Sequence, residues 1–489
     1  LRAQPIQNKL NSGGTVMKKS KRSSFWLMTT LLFVLVLSAC SGNSNGSNTT
    51  TGNNKGDTGA TSTPAATVEA PSESNDPVSI TWWNFPNFTA LDGEVGKFEK
   101  QIIAAFNEKH PEITVNLEML TFDGGPEKLN VAIATSTAPD VIYDAPGRII
   151  DWAKKGLLAP IDDMFTAEVK SDITPAIIEQ SSVDGTMYMY PFNTGPFTMA
   201  VNKTLFEEIG AVDLLPLDKE DRTWSVEEFE AALQAVKQKA PDVIPVGFFA
   251  KSQAGDQGTR GFITNLAGST FLNDTNDGIA LNNEGGVAAL EWINKAVQEG
   301  WLADGAASMA ASDHNDLFLQ GKMAFAINYS AVLKTQFAPN KTSDFEDILL
   351  PYPTVDGKAP ILEPFLGGIS IFDNDDAAKI EASKKFVDFL VNDPEWSITA
   401  LKQTGGLSAR NSISGIYDGS EYAYSELARK FITTPPTIAD GYAEIRTYWF
   451  PALQKVLLKA ASPAEALAEF EKLGNEAIAK GKAEREKSN

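Results

Sequence analysis

Hydrophobic and polar positions divide the chain into three unlike stretches. An apolar run from Phe25 to Leu37 follows a basic cluster of Lys18, Lys19, Lys21 and Arg22. Residues 41–77 carry no hydrophobic periodicity and are rich in Ser, Asn, Gly, Thr and Ala, the composition of a disordered linker. As a flexible coil such a linker averages about 35 Å end to end. From Val78 onward the pattern is periodic. Val78, Ile80 and Trp82 alternate as one face of a strand. Phe98, Ile102 and Phe106 recur every fourth position and predict a helix over 97–109, stopped by His110-Pro111. Ile113, Val115, Leu117 and Met119 alternate as a second strand, Leu129 and Ile133 mark a helix face, and Asp140 to Asp144 reads as a third strand. Residues 150–158 look helical again. Strands alternating with helices predict βαβ units and a mostly parallel sheet, an α/β fold. Farther on, helices dominate: 225–239 behind the N-cap Ser225, then 285–299, 383–391, 442–458 and 463–480. The stretch from Pro191 to Thr198 is rich in turn residues, and no internal repeat is visible.

The first apolar run has the length of a signal peptide and is too short for a comfortable membrane span. Met17 directly precedes the basic cluster, so residues 17–39 are expected to be the signal and residues 1–16 upstream sequence translated in error. The run ends in Leu37-Ser-Ala-Cys40, and Cys40 is the sole cysteine. This resembles the lipobox of bacterial lipoproteins; an ordinary secretory signal with a chance cysteine is the alternative. The resemblance implies cleavage before Cys40 and a diacylglycerol on its thiol. Two acyl chains supply the two hydrophobic signals that stable anchoring needs. A lone cysteine also excludes an intrachain disulfide, so the exported fold is held by its core. The length permits a large core split into two domains.

Charge narrows the partners. The chain has 42 Lys and Arg against 63 Asp and Glu, a net −21. Residues 1–39 contain six basic residues and no acid, which leaves 36 basic against 63 acidic, −27, for the remainder. That argues against nucleic acid and against an anionic membrane surface, and leaves a polar neutral or cationic ligand open. No catalytic constellation stands out. The two histidines are scattered: His110 precedes a proline at a helix end, and His314, among Asp313, Asn315 and Asp316, reads as a helix start. No zinc site, catalytic triad, P-loop or dinucleotide fingerprint is expected, and so no metal, cofactor or catalytic residue. Asp373 to Asp376 lacks the glycine and distal glutamate of an EF-hand and reads as a solvated turn.

Six blocks then carry a family resemblance through their order and spacing: 103–115 (IAAFNEKHPEITV), 138–142 (APDVI), 156–162 (GLLAPID), 201–206 (VNKTLF), 321–325 (GKMAF) and 462–467 (SPAEAL). Over residues 78–480 the chain resembles extracellular solute-binding proteins of ABC importers, in particular the large sugar-binding, maltose-binding-protein-like type. The resemblance implies a two-lobe, type II periplasmic-binding-protein-like fold, hinge-connected, with the ligand cleft between the lobes. One lobe would hold 78–195 plus 330–392 and the other 196–329 plus 393–489, with hinges at Pro191 to Gly195 and Ile327 to Ser330. The implied role is capture of a carbohydrate, an oligosaccharide, by hinge closure. Its partners would be ABC permease subunits with their ATPase. The implied setting is a monomer tied by the lipid on Cys40 to the extracellular face of the cell membrane. A receptor for a polyamine or peptide and a surface glycosidase are the rival functions.

Ligands of open α/β sheets sit beyond the C-terminal ends of strands. The first strand delivers Trp83, Asn84, Phe85 and Asn87 there, with Trp82 assigned to the core. Aromatic rings suit the apolar faces of a sugar and amides its hydroxyl rim. The resemblance adds Asp144 and Arg148 after the third strand, Asn193 and Thr194 at the first crossover, and Asn328 and Tyr329 at the second. Some maltose-binding members carry an aromatic at the position of Asp144, so this chain departs from the maltose pattern; helix capping is the other role for Asp144. Gly367 and Gly368 would let the backbone approach a ligand or form a plain turn. Arg410 would bond ligand hydroxyls or a neighbouring carboxylate. Tyr448 and Trp449 open a C-terminal helix where relatives hold a stacking tryptophan, although aromatics at helical spacing are more often core.

Overall fold

The computed structural model describes residues 77–488, apart from 123, 252–254, 358, 434, 437 and 438. Met17, the signal segment, Cys40 and the linker up to residue 76 lie outside the described residues. Among the described residues no helix is long and apolar enough to cross a membrane.

The strands in chain order are β1 (Val78–Asn84), β2 (Ile113–Met119), β3 (Val141–Asp144), β4 (Ser182–Val183), β5 (Thr186–Met187), β6 (Tyr190–Pro196), β7 (Thr198–Asn202), β8 (Ile244–Val246), β9 (Met323–Tyr329), β10 (Asp347–Leu350), β11 (Pro364–Ile371) and β12 (Leu407–Ser408). The first lobe is built on a six-stranded sheet in the order β12-β6-β11-β3-β1-β2. β1 runs parallel to β2 and β3, while β11 and β12 are antiparallel to their neighbours. Helices cover both faces. Ile80 and Trp82 point into one layer with Phe98, Ile102 and Phe106 of the helix Lys97–Lys109 and with Phe386 of the helix Ala377–Asn392. Phe85, Ile142 and Leu129 point into the other, under the helices Gly125–Ala134 and Pro146–Lys154. The second lobe is built on a four-stranded sheet, β10-β7-β9-β8, with its own larger core.

The chain passes between the lobes at Phe197, which joins β6 to β7, and again at Glu363, just before β11. These passes run side by side, with the Phe197 amide donating to the Glu363 carbonyl at 2.8 Å. A third pass lies between Tyr417, whose hydroxyl donates to the Gly406 carbonyl, and Tyr422, which packs on the second core. The two tyrosine rings stack at 5.3 Å across it.

This corrects two expectations. Residues 330–350 were assigned to the first lobe, but after Ser330 the chain stays with the second, because Asp347–Leu350 pairs with β7. Residues 393–410 were assigned to the second lobe, but Ala400 and Leu401 fill the first core and β12 pairs with β6. The expected hinges move accordingly. Pro191 to Gly195 lie inside β6 and Ile327 to Tyr329 inside β9, so the joints are Phe197, Glu363 and the stretch 417–422.

His314 is the fourth residue of the helix Ala311–Leu319 and is fully buried. Its Nε2 accepts the Ile327 amide at 3.2 Å, which requires the neutral ring. Burial pushes its pKa down to about 4. The unfolded ring titrates near 6.5, so its stabilising effect is complete above that pH and is lost as pH falls through about 4. The stability difference between wild type and His314→Gln is expected to shrink by about 3 kcal/mol between pH 7 and pH 4. Urea unfolding at both values checks this, and a pH-independent difference would contradict it. Glu99, pushed up to about 7 chiefly by burial, has the opposite sign: its contribution is present at low pH and lost as pH rises through 7.

Candidate functional site: the cleft between the lobes

Both sheets turn the C-terminal ends of their parallel strands toward the joint. β3 and β1 end at Asp144 and Asn84, whereas β11 runs the other way and begins at the joint. In the second lobe, β8 and β9 run parallel, and the last residue of β9, Tyr329, pairs with Thr198 beside the first pass. Strand ends of both lobes therefore lie toward the joint, the placement expected for a ligand of open α/β sheets.

Several of the expected residues gather at the strand ends of the first lobe. Asn84 is buried, and its Nδ2 donates to Glu99 Oε1 at 2.8 Å. The half-buried Asn87 donates to the Tyr143 carbonyl at 3.3 Å, which holds the turn after β1 against the end of β3. Asp144 is buried and binds Arg148 through both carboxylate oxygens, with Arg148 Nε at 2.6 Å from Oδ2. Burial pushes the Asp144 pKa up, against the pull of Arg148 and the Ala145 amide. The Asp144 Oδ1 also accepts that amide at 2.7 Å. The Arg148 guanidinium lies 5.3 Å from the centre of the Phe85 ring. Phe122, absent from the sequence reading, stacks on Phe85 at 5.7 Å and 6°.

A second feature beside the joint was not foreseen. It is a charge network at the start of the helix Asp256–Ala267. Arg260, fully buried, donates Nε and Nη2 to the two oxygens of Glu363 at 2.5 and 2.6 Å, and Nη1 to Asp256 at 2.5 Å. Asp256 also accepts from Tyr442 at 3.0 Å and from Arg446 at 2.8 and 2.9 Å. Burial disfavours the Asp256 charge, but Arg260 and Arg446 outweigh it and hold the carboxyl below the usual range. Asn328 packs against this helix, where a Cβ on Gly258 would stand 2.6 Å from its own Cβ.

Other expected residues go elsewhere. Trp82 is core, but Trp83 faces the helix Gly125–Ala134, with Lys128 Nζ 4.9 Å over its ring, and not the strand ends. Asn193 is buried under the Tyr143 hydroxyl at 2.6 Å, and Thr194 donates to the Phe365 carbonyl at 2.8 Å. Gly367 and Gly368 admit protein, not ligand: Cβ atoms there would stand 2.5 Å from Asn193 Oδ1 and 2.4 Å from Met189 Cγ. Tyr329 is core and donates to Asp347 at 2.9 Å. Arg410 binds a neighbouring carboxylate, Asp172, at 2.9 Å. Tyr448 is half-buried and donates to Glu444 at 2.9 Å. Trp449 is core as well, edge-on to Phe271 and Phe470, with its Nε1 donating to Thr259 at 3.0 Å. Among the described residues no group of three or more His, Cys, Asp or Glu could hold a metal ion.

Residues 91–395 match the family of bacterial extracellular solute-binding proteins. The chain belongs to that family. Its members bind solutes and are not enzymes. This solute-binding protein is 24% identical over 234 residues, 48% of its length, to a binding protein of Brucella abortus strain 2308. The match spans about half, 54%, of that relative. In fold it is similar to an ABC substrate-binding protein of Listeria monocytogenes in complex with cycloalternan, with a TM-score of 0.66 at 19% identity, covering 83% of this chain and 100% of that one. It is also similar to the cyclic α-maltosyl-1,6-maltose binding protein of Arthrobacter globiformis, with a TM-score of 0.64 at 21% identity, covering 82% of this chain and 99% of that one. These likenesses establish the two-lobe architecture of this solute-binding protein. The residues beside the joint that the sequence did not reveal had weak signals: Phe122 lies just past a strand end, and Asp256 and Arg260 stand at helical spacing in a glycine-rich segment.

Proposed function

We propose that this protein captures an uncharged carbohydrate, an oligosaccharide, in the cleft and delivers it to an ABC importer. The observation that carries this reading is the internal pairing of charge on both sides of the joint. Arg148 is matched by Asp144, and Arg260 and Arg446 by Glu363 and Asp256. A polyamine calls for carboxylates free to face it, and these carboxylates are already bound. A glycosidase needs two carboxyl groups free to act as acid and base or nucleophile, and Asp144 and Asp256 are each fixed by several donors. Paired charges beside aromatic rings suit a neutral polyhydroxyl ligand. The fold relatives bound to cycloalternan or named for cyclic maltosyl-maltose support the same class.

Closure would occur about Phe197, Glu363 and the stretch 417–422, driven by the ligand's higher affinity for the closed state. The permease subunits with their ATPase would recognise that state. The receptor would act as a monomer, held at the extracellular face of the membrane by lipid on Cys40. The test is thermal unfolding with neutral oligosaccharides, spermidine and short peptides. A ligand at a hundred times its Kd adds about 2.7 kcal/mol, so a neutral oligosaccharide is expected to raise the melting temperature while leaving no product. Stabilisation by spermidine or peptide alone, or sugar turnover, would refute the proposal.

A further inference from the structure

The end of β1 is backed by a buried carboxyl group. Glu99 is the third residue of the helix Lys97–Lys109 and is 1% exposed. Bonds run outward from it in one direction. Glu99 Oε1 accepts from Asn84 Nδ2 at 2.8 Å, Asn84 Oδ1 accepts from Asn87 Nδ2 at 3.4 Å, and the same Asn87 nitrogen donates to the Tyr143 carbonyl at 3.3 Å. The carboxyl is thus joined, through one amide, to the turn that follows β1. Asn84 can offer its oxygen to Asn87 only while its nitrogen faces Glu99. Oε1 must therefore remain an acceptor, and any proton on the carboxyl sits on Oε2. Glu99 Oε2 is itself enclosed and has no hydrogen-bond partner among the described residues.

That arrangement fits a neutral acid better than a carboxylate. Ionised, Oε2 carries a buried charge with no donor; protonated, it leaves only a hydroxyl unmatched. Little nearby charge offsets the burial. Lys100, next on the same helix, favours the ionised form, but its Nζ lies 2.7 Å from Glu94, and Lys97 pairs with Asp92. β1 and its turn bring Asn84 and Asn87, which do not titrate. β3 brings Tyr143, whose hydroxyl donates to Asn193 and whose pKa burial pushes up. Glu118 of β2 pairs with Lys128, and Lys384 and Lys385 of the helix Ala377–Asn392 pair with Asp163 and Glu112. Lys402 of the helix Trp396–Thr404 is exposed. Burial accordingly pushes the Glu99 carboxyl up to about 7.

We propose that Glu99 is a proton-operated positioning residue: protonated, it holds the Asn84–Asn87 turn against β3, and ionised, it releases that turn, so that the strand end is set for its solute at acid and neutral pH and loosened in alkali. Once released, the carboxyl meets water and titrates near its usual value of about 4.3, so the held turn is the form that binds the proton. The ratio of released to held turn then rises by up to about tenfold for each pH unit above 7. The device acts on the strand end itself and does not depend on which solute the protein carries.

The test is nuclear magnetic resonance of the wild type and Glu99→Gln between about pH 5 and pH 9. It reads the Glu side-chain carboxyl carbons and the exchange protection of single amides, corrected for their intrinsic rates. The Glu99 carboxyl is expected to titrate near 7. The Asn87 amide, which donates to the Phe85 carbonyl at 2.6 Å, is expected to lose protection by up to about tenfold per pH unit above 7 in the wild type. It is expected to keep that protection in E99Q, whose side-chain amide stays neutral at every pH. The His110 amide, which bonds the Phe106 carbonyl at the far end of the same helix, is expected to hold its protection in both proteins. That separates release of the turn from loosening of the whole lobe. A Glu99 carboxyl titrating in the ordinary range, Asn87 protection that does not change with pH, the same loss in E99Q, or an equal loss at His110 would each overturn the proposal. If E99Q does not fold, the wild-type carboxyl and the two wild-type amides decide it.

Discussion

Arg260→Ala is expected to lower the stability of the protein by about 3–5 kcal/mol, the cost of removing one partner of a buried ion pair. The size follows from what would be left behind. Glu363 loses both of its guanidinium bonds and Asp256 one of its donors, in a place with almost no access to water. Asp256 keeps Arg446 and Tyr442, so Glu363 is the group stranded. Removing both sides should therefore be milder than removing one. Arg260→Met with Glu363→Leu is expected to recover most of the loss, since an apolar pair of similar volume leaves no uncompensated charge. Urea unfolding of Arg260→Met, Glu363→Leu and the pair checks this as a double-mutant cycle. Equal losses for R260A and the double variant would contradict it. Because Glu363 is itself the second joint, R260A should also loosen the hinge, seen as faster amide exchange at Phe197, whose N–H bonds the Glu363 carbonyl.

Trp449→Ala is expected to cost a similar amount, about 3–5 kcal/mol, through the cavity left in the second core. Its ring is enclosed by Phe271 and Phe470, and its N–H leaves the buried Thr259 hydroxyl without that donor. Affinity for a bound sugar, measured on the folded protein below its melting transition, should hold. A W449A protein of normal stability with lost binding would return the tryptophan to the cleft.

How each element is buried decided what could be read from the chain and what could not. Elements buried on one face were legible. Ile80 and Trp82 repeat every second position and lie in the core of β1, and Phe98, Ile102 and Phe106 repeat every fourth and line the buried side of the helix Lys97–Lys109. Ser225 opens one helix as foreseen, by a capping box with Glu228. The helix Asp256–Ala267 was invisible for the opposite reason. It is buried on nearly every side and carries two interior glycines, so no polar face gives it a period. Boundaries shifted where capping was misread. The helix expected at 150–158 runs over Pro146–Lys154, because Pro146 sets the first turn. Asp376, read as part of a solvated turn, caps the helix Ala377–Asn392 through the Ala378 and Lys379 amides.

The site was less legible than the fold, because a strand's neighbours are not written in its own residues. Whether Asp347–Leu350 joins one sheet or the other depends on pairing with β7, well over a hundred positions away in sequence. Arg410 and Trp449 each had two readings that local pattern could not separate, and a carboxylate in one case and a pair of phenyl rings in the other decided them.

The interleaving of the two lobes has a consequence for how quickly the protein can be made. β12 closes the first sheet against β6, and Thr89 bonds Gln403 across 314 positions of sequence. The first lobe cannot be completed until the ribosome has passed residue 408, after most of the second lobe has been synthesised. Such distant contacts fold slowly, since the loops between them must close before any of the pairing is rewarded. A nascent chain of this kind stays unfinished for a long time, and an unfinished chain is the form a secretion channel can thread.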